Sequence, residues 1–242
     1  MSRHILRAGS LLVLLLATTW RAAWAHNPIV INGGPTDPAT AYKVADISVS
    51  RVAYHHARSG QPFLWLTFDG KAGQKIEIQM GVPEIDRYAE VRPATAVLGP
   101  GLPPAPDLPF AVPKGMGATV LSTDSQKPTL FHEEFTGTVS WLFAKTTIPL
   151  IQNGKYYAVS YIPSGNEAKF WVALGEAEVF GLWDFVRMPV IVIKARSFHE
   201  ILPWGGILGW AYLAIIVLLL GGLAGLAVLL RRTFRKSAPD RF

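Results

Sequence analysis

The chain has 242 residues, a net charge of +6 and no cysteine. The lack of cysteine excludes disulfides, thiolate catalysis, iron–sulfur clusters and cysteine-ligated zinc. The positive charge does not indicate nucleic-acid binding, because residues 26–200 hold 15 basic and 16 acidic residues and the basic excess therefore lies at the two ends.

Residues 1–25 have the pattern of a secretory signal peptide. Arg3 and Arg7 form a positive region, an apolar stretch follows over residues 8–19, and residues 23–25 read Ala-Trp-Ala, the small-x-small pattern of a cleavage site. We predict cleavage after Ala25, which makes His26 the mature N-terminus. The alternative is an uncleaved signal anchor.

The sequence pattern of residues 26–180 predicts an extracytoplasmic domain that is mainly β. Two glycines, Gly70 and Gly73, predict a hairpin between the second and third of its strands. Residues 100–113 contain six prolines and predict an extended loop, which we interpret as a structural strap rather than a binding lip. The pattern favours an antiparallel β-sandwich of the jelly-roll or immunoglobulin-like kind. The predicted strands are 47–52, 62–68, 75–80, 95–98, 138–143, 155–162 and 169–174.

Four short segments resemble a known family. They read Phe-Leu-Trp-Leu-Thr-Phe from Phe63, Asp-Gly-Lys-Ala-Gly-Gln from Asp69, Lys-Ile-Glu-Ile-Gln-Met from Lys75, and Asn-Gly-Lys-Tyr-Tyr-Ala-Val from Asn153. Over about residues 61–175 the chain is similar to bacterial pre-peptidase-like β-sandwich domains. The resemblance implies a non-catalytic accessory module with a binding or structural role.

The histidines suggest one metal site. With cleavage after Ala25, the α-amine and the imidazole of His26 could chelate copper together, and a second imidazole would come from His55, His56 or His132. His55 and His56 are adjacent, so on a strand they point to opposite faces and only one could take part. His132 shares a face with Glu134 if that stretch is extended. The alternative is a frayed N-terminus with ordinary surface histidines, in which case no cofactor is bound.

Hydrolytic catalysis lacks a motif. Ser48, Ser50 and Ser140 lie in strand patterns and not in a Gly-x-Ser-x-Gly elbow, and the sequence has no glycine-rich phosphate loop. We therefore predict that the chain is not an enzyme. The absence of both cysteine and an Asn-x-Ser/Thr sequon favours a prokaryotic envelope over a eukaryotic surface.

Residues 181–200 predict a juxtamembrane amphipathic segment. Aromatic and aliphatic residues alternate there with basic ones, which suits a helix at the headgroup boundary, with Pro189 as its first residue. The alternative is a last strand over residues 190–194 followed by a linker.

Residues 201–230 contain no charged side chain and exceed the ~20 residues that a transmembrane helix needs. Gly221 and Gly225, four residues apart, form a candidate face for association with another membrane helix. The tail, residues 231–242, is basic and predicts a cytoplasmic C-terminus. Trp204, Trp210 and Tyr212 would form an aromatic belt at the outer interface.

These patterns give one leading hypothesis. The chain is a single-pass cell-membrane protein whose N-terminal domain lies outside the cytoplasm and serves as a binding or scaffolding module. Its expected partners are the membrane and a membrane protein that contacts the transmembrane helix, and nucleic acid is not among them. Copper binding through His26 is the alternative function.

Overall fold

The computed structural model describes residues 27–29, 34–177 and 182–205, and six single residues between 214 and 225; side chains are described in 34–177, 187–205 and at those six. The predicted signal peptide, His26, most of the predicted span and the tail lie outside the described residues. The elements with bounds in these described residues are the 3-10 turn Asp86–Tyr88, the α-helix α1 (Leu182–Phe198) and twelve strands. The strands are β1 (Asn27–Ile29), β2 (Tyr42–Lys43), β3 (Arg51–Ala57), β4 (Phe63–Gly70), β5 (Lys75–Pro83), β6 (Ala94–Gly99), β7 (Gly117–Ser122), β8 (Thr129–Glu133), β9 (Thr138–Leu142), β10 (Thr146–Pro149), β11 (Gly154–Tyr161) and β12 (Ala168–Leu174).

The strands form two sheets, so the described chain is mainly β, as predicted. The larger sheet runs β1-β3-β12-β5-β9-β8, with β10 also paired to β5. The smaller sheet runs β2-β4-β11-β6-β7. Pairing is antiparallel except at β1–β3 and β2–β4, where it is parallel. The arrangement is thus rich in antiparallel pairs.

One hydrophobic core lies between the two sheets. Alternate residues of each strand enter it, because successive side chains of a strand point to opposite faces. Leu64, Leu66 and Phe68 of β4 belong to the same buried cluster as Ile76 and Ile78 of β5. Strands of both sheets therefore share one core, which fits the predicted sandwich.

The proline-rich segment covers the outer face of the smaller sheet. Phe110 packs edge-to-face against Phe63, Trp65 and Tyr161, with ring centroids 5.2–5.6 Å apart. This contact explains why β4 is apolar on both faces: one faces the core and the other faces the segment. Residues 100–116 are named the strap below.

Several sequence predictions about the strands were wrong. β4 and β5 do not form a hairpin, because β4 pairs with β2 and β11 while β5 pairs with β9, β10 and β12. The turn at residues 71–74 instead connects the two sheets. The first predicted strand was placed too early, since β3 begins at Arg51. β7, β8 and β10 were not predicted.

Within the predicted juxtamembrane segment, residues 182–198 form the helix α1, and the sequence had favoured a helix there over a last strand. Pro189 lies inside α1 and not at its first position, so that part of the prediction was wrong. Burial of Met188, Ile191 and Ala195 offsets the backbone hydrogen bond that proline removes. Within the described residues, no helix is both long and apolar enough to cross a bilayer.

The predicted transmembrane helix does not begin at Ile201, because residues 201–205 contain a bend and a turn and are not helical. Pro203 disfavours helical geometry at the residue before it, which gives the physical reason. Gly221 and Gly225 are helical and exposed, and a methyl group added at either would have no atom within 4 Å.

Candidate functional site

His55 and His56 point to opposite faces of β3, as expected. His55 is buried, its Nε2 lies 3.0 Å from the carbonyl oxygen of Gln61, and burial lowers the pKa of its imidazole to about 4. His56 lies on the outer face with its Nε2 2.9 Å from a carboxylate oxygen of Glu167. Each imidazole thus has a protein partner.

The structure does not bring the described histidines together. His132 is exposed on β8, which three strands separate from β3, a distance of roughly 19 Å at the usual strand spacing. The stretch containing Glu134 is a turn, so Glu134 does not continue the strand of His132. Among the described residues no group of three metal-ligating side chains occurs. His26 lies outside them, so copper binding stays a prediction.

The end of α1 meets the outer face of the larger sheet in a cluster of polar and aromatic side chains, of which Ser140, Trp171, Arg196 and His199 are buried. We name it the neck cluster and define it by its members: Tyr54, Ser140, Lys169, Trp171, Arg196, Phe198, His199 and Glu200. Its aromatic part is the contact of Tyr54 with Phe198, whose ring centroids lie 4.9 Å apart.

Gly81 of β5 has no side chain, and this leaves room for the indole ring of Trp171 to reach β9. Gly81 is paired with Trp171 of β12, and a methyl group at Gly81 would lie 2.1 Å from the indole ring. The ring therefore lies across β5 above this glycine. From there the indole Nε1–H donates to Ser140 Oγ of β9 at 3.1 Å.

His199 continues the hydrogen-bond chain. Its Nδ1 lies 2.8 Å from the carbonyl oxygen of Ala195, which can only accept, so Nδ1 carries the proton. Its Nε2 then accepts from the hydroxyl of Ser140 at 3.0 Å. Burial, with Lys169 and Arg196 nearby, lowers the pKa of His199 to about 4. The imidazole is therefore neutral near neutral pH.

Arg196 joins three parts of the chain. Its guanidinium is buried and donates from Nη1 to the carbonyl oxygen of Thr136, at 2.7 Å, and of Gly137, at 3.3 Å. Its Nε donates to the carbonyl oxygen of Leu202 at 2.7 Å. A methyl group at Gly205 would lie 2.1 Å from this guanidinium. Arg196 thus binds α1, the turn after β8 and residues 202–205 together.

Glu200 closes the helix in an uncommon conformation. Its φ of 59° lies in the left-handed region, which usually takes glycine at the end of a helix. Its carboxylate accepts hydrogen bonds from Arg87 and, at 2.7 Å, from Lys169 Nζ. These bonds lower the pKa of Glu200 to about 2. Two ion pairs therefore hold a strained residue between α1 and the two-sheet domain.

The Ser140–His199 pair has the spacing of a nucleophile and its base, but its surroundings favour a structural role. Ser140 is 4% exposed and His199 is 5% exposed. The serine oxygen already accepts from Trp171, and the second imidazole nitrogen is bonded to a backbone carbonyl rather than a carboxylate. No sequence motif indicated this pair, because its members lie 59 residues apart.

A second candidate site is a cleft between the two sheets. It has a volume of about 500 Å³ and lies between β7 and β10, beside the first residues of the strap. Ile151, which is 50% exposed, contributes to its rim. The other lining residues are Gly101, Leu102, Pro103, Thr119, Leu121, Thr146, Thr147, Ile148 and Pro149. Apolar side chains with a few hydroxyls are typical of binding clefts.

No family model matches the sequence, and no curated protein matches it. Among solved structures, the chain is similar to the pre-peptidase C-terminal domain of the collagenase of Bacillus anthracis, with 14% identity, 59% of this chain and 99% of that chain covered, and a TM-score of 0.29.

Two further structures are similar. CorA, described as a surface-associated copper-binding protein of Methylomicrobium album BG8, has 13% identity, covers 57% of this chain and 98% of its own, and gives a TM-score of 0.33. The secreted protein MopE of Methylococcus capsulatus, described as binding copper with the help of an oxidised tryptophan, has 11% identity, covers 51% and 72%, and gives a TM-score of 0.23.

Proposed function

We propose that the chain is a non-catalytic scaffolding module of the prokaryotic envelope, a β-sandwich held outside the cytoplasm by one transmembrane helix within residues 201–230. The neck cluster carries this proposal. A domain on a flexible linker needs no buried contacts to that linker, whereas here Arg196, His199 and Glu200 fix the connecting segment to the larger sheet. Such a rigid connection, formed by α1 and the neck cluster and called the mount below, would hold the domain in one orientation relative to the membrane.

Two exposed apolar residues that follow α1 support the proposal that the mount ends at a membrane. Leu202 and Trp204 are 71% and 73% exposed, and both belong to the turn whose Leu202 carbonyl binds Arg196. Tryptophan is favoured at membrane interfaces because its ring is apolar and its N–H is polar. The uncharged run follows directly, and the basic residues beyond it would lie in the cytoplasm.

The anchor is tested by membrane fractionation. The full chain and a chain ending at Glu200 are expressed in bacteria, and membranes are washed with alkaline carbonate. We expect only the full chain to stay in the pellet, and protease added from outside to digest its N-terminal domain. Release of the full chain by carbonate would contradict the proposal.

The mount is tested by the rotational motion of the domain in lipid nanodiscs. We expect fluorescence anisotropy of a label on the domain to decay at the slow rate of the whole disc. Arg196→Ala should add a fast component, and Arg187→Ala, at an exposed position of the same helix, should not. Fast motion already in the unaltered chain would show a flexible tether instead.

A further inference from the structure

β7 is an edge strand, and on its free side the backbone N–H and C=O of one residue, Val120, are unpaired within the described part of the chain. On this side the N–H of Ala118 donates to the carbonyl oxygen of Pro103 at 2.8 Å, and the carbonyl of Ser122 accepts from Gln126 Nε2 at 3.0 Å. Backbone groups of an antiparallel strand alternate in direction, so Val120, midway between the two, also directs its N–H and C=O away from β6. No described residue bonds to these two groups.

The sequence of β7 does not protect this edge. Natural proteins block exposed edges with charged residues, proline or very short strands. β8 carries His132 and Glu133, β2 has two residues, and β10 carries Pro149. β7 reads Gly-Ala-Thr-Val-Leu-Ser, with neither charge nor proline. An unprotected edge in a folded domain is a natural site for strand addition.

The cleft adds side-chain recognition to the same edge. Thr119 and Leu121 of β7 line it, whereas Ala118 and Val120 face the opposite side, against the strap. A segment paired with β7 would therefore place every second side chain in the cleft, beside Leu121, Ile148 and Ile151. The cleft suits apolar side chains at these alternate positions.

We propose that β7 and the cleft bind an extended segment of a partner protein, which adds to the smaller sheet as a strand and inserts alternate apolar side chains into the cleft. The proposal rests on the proposed scaffolding function and names the partner's chemistry. Pro103 supports it, because the strap itself already uses the first outward position of β7 through a strand-like hydrogen bond. The unpaired N–H and C=O of Val120 are the next outward-directed groups along the same edge of β7.

The test uses the purified full chain in detergent micelles and a synthetic peptide. The peptide has nine residues, with valine and threonine alternating between terminal lysines; the control peptide has the same composition with the valines contiguous. We expect the alternating peptide to slow hydrogen exchange at the Val120 amide and to shift the NMR signals of Leu121 and Ile151. The control peptide should do neither.

Variants then identify the edge that is used. Val120→Pro removes the outward N–H without touching the β6–β7 bonds and should weaken binding about tenfold. Thr129→Pro places a proline at the exposed first residue of β8, an edge strand that contributes no residue to the cleft, and should leave binding unchanged. Ile151→Ser changes the cleft without altering either strand and should also weaken binding.

Four results would overturn the proposal. They are no protection of Val120 at millimolar peptide, equal binding of both peptides, unchanged binding by Val120→Pro and Ile151→Ser, and a peptide-free dimer that Val120→Pro dissociates. The last result would assign the edge to a second copy of the chain. Binding is measured in micelles, so its outcome is independent of the fractionation experiment that tests the anchor.

Discussion

Acidification should loosen the contact between α1 and the larger sheet through His199. Burial lowers the pKa of this imidazole from 6.5 to about 4, so between these values the unfolded chain binds a proton that the folded chain does not. Stability from the neutral imidazole is thus present above the ordinary pKa and is lost as the pH falls. From about pH 7 to about pH 5 the loss is about 2 kcal/mol.

The structure gives the cause of this loss. A proton on Nε2 would turn the acceptor of the Ser140 hydroxyl into a donor, so the hydroxyl proton of Ser140 would lose the acceptor it has in the neutral state. The added charge would also face Lys169 and Arg196, and Glu200, the next residue in the chain, is already paired with Lys169. Protonation therefore removes one hydrogen bond and adds repulsion at the same place.

The assay is hydrogen exchange of the α1 amides, expressed as protection factors so that the intrinsic effect of pH is divided out. We expect protection over residues 191–198 to fall about thirtyfold between about pH 7 and about pH 5. His199→Gln, which does not titrate, should remove the pH dependence. His55→Gln should keep it, because His55 lies on the inner face of β3 and is bonded to Gln61. Equal protection at both pH values, or a retained pH dependence in His199→Gln, would refute the reasoning.

Three further predictions concern packing and metal binding. Gly81→Ala should lower the free energy of unfolding by about 1–3 kcal/mol in chemical denaturation, because the added methyl group would displace the Trp171 ring. An unchanged denaturation midpoint would contradict the position of this ring across β5. Phe110→Ala should lower it by about 3 kcal/mol through lost ring contacts, while the exposed Pro109→Ala should change it by less than about 0.5 kcal/mol. Similar effects of the two would show that the strap is not held by this ring. N-terminal sequencing should find a chain that starts at His26; binding of one copper ion in a titration of that chain would support the alternative function, and any other start would remove the copper hypothesis.

The strands were predictable where local pattern determines them, and their partners were not. β4 and β5 were predicted from alternation and aromatic content, yet the glycines between them permit either a hairpin or a crossing between sheets. The crossing between sheets results from the pairing of β4 with β11, which joins residues as distant in sequence as Phe63 and Tyr161. Such pairing depends on the complete core, and no window of sequence contains it. β7 and β10 were missed because they are short edge strands with little alternation.

The neck cluster was beyond sequence reasoning for a related reason. The sequence indicated an interfacial helix from its composition, but Arg196 and His199 acquire their roles only from Thr136 and Ser140, which come from a distant strand and turn. The left-handed Glu200 that follows α1 is likewise visible only in the structure, where two ion pairs hold its side chain.

The coverage of the two sheets explains why an edge is the place to expect a partner. The strap covers the outer face of the smaller sheet, and the end of α1 covers part of the outer face of the larger one. A ligand on either face would have to displace Phe110 or break the buried bonds of Arg196 and His199. Strand addition at Val120 requires neither change. A domain whose two outer faces are covered by the strap and by the end of α1 can therefore still offer a preformed, uncharged strand edge.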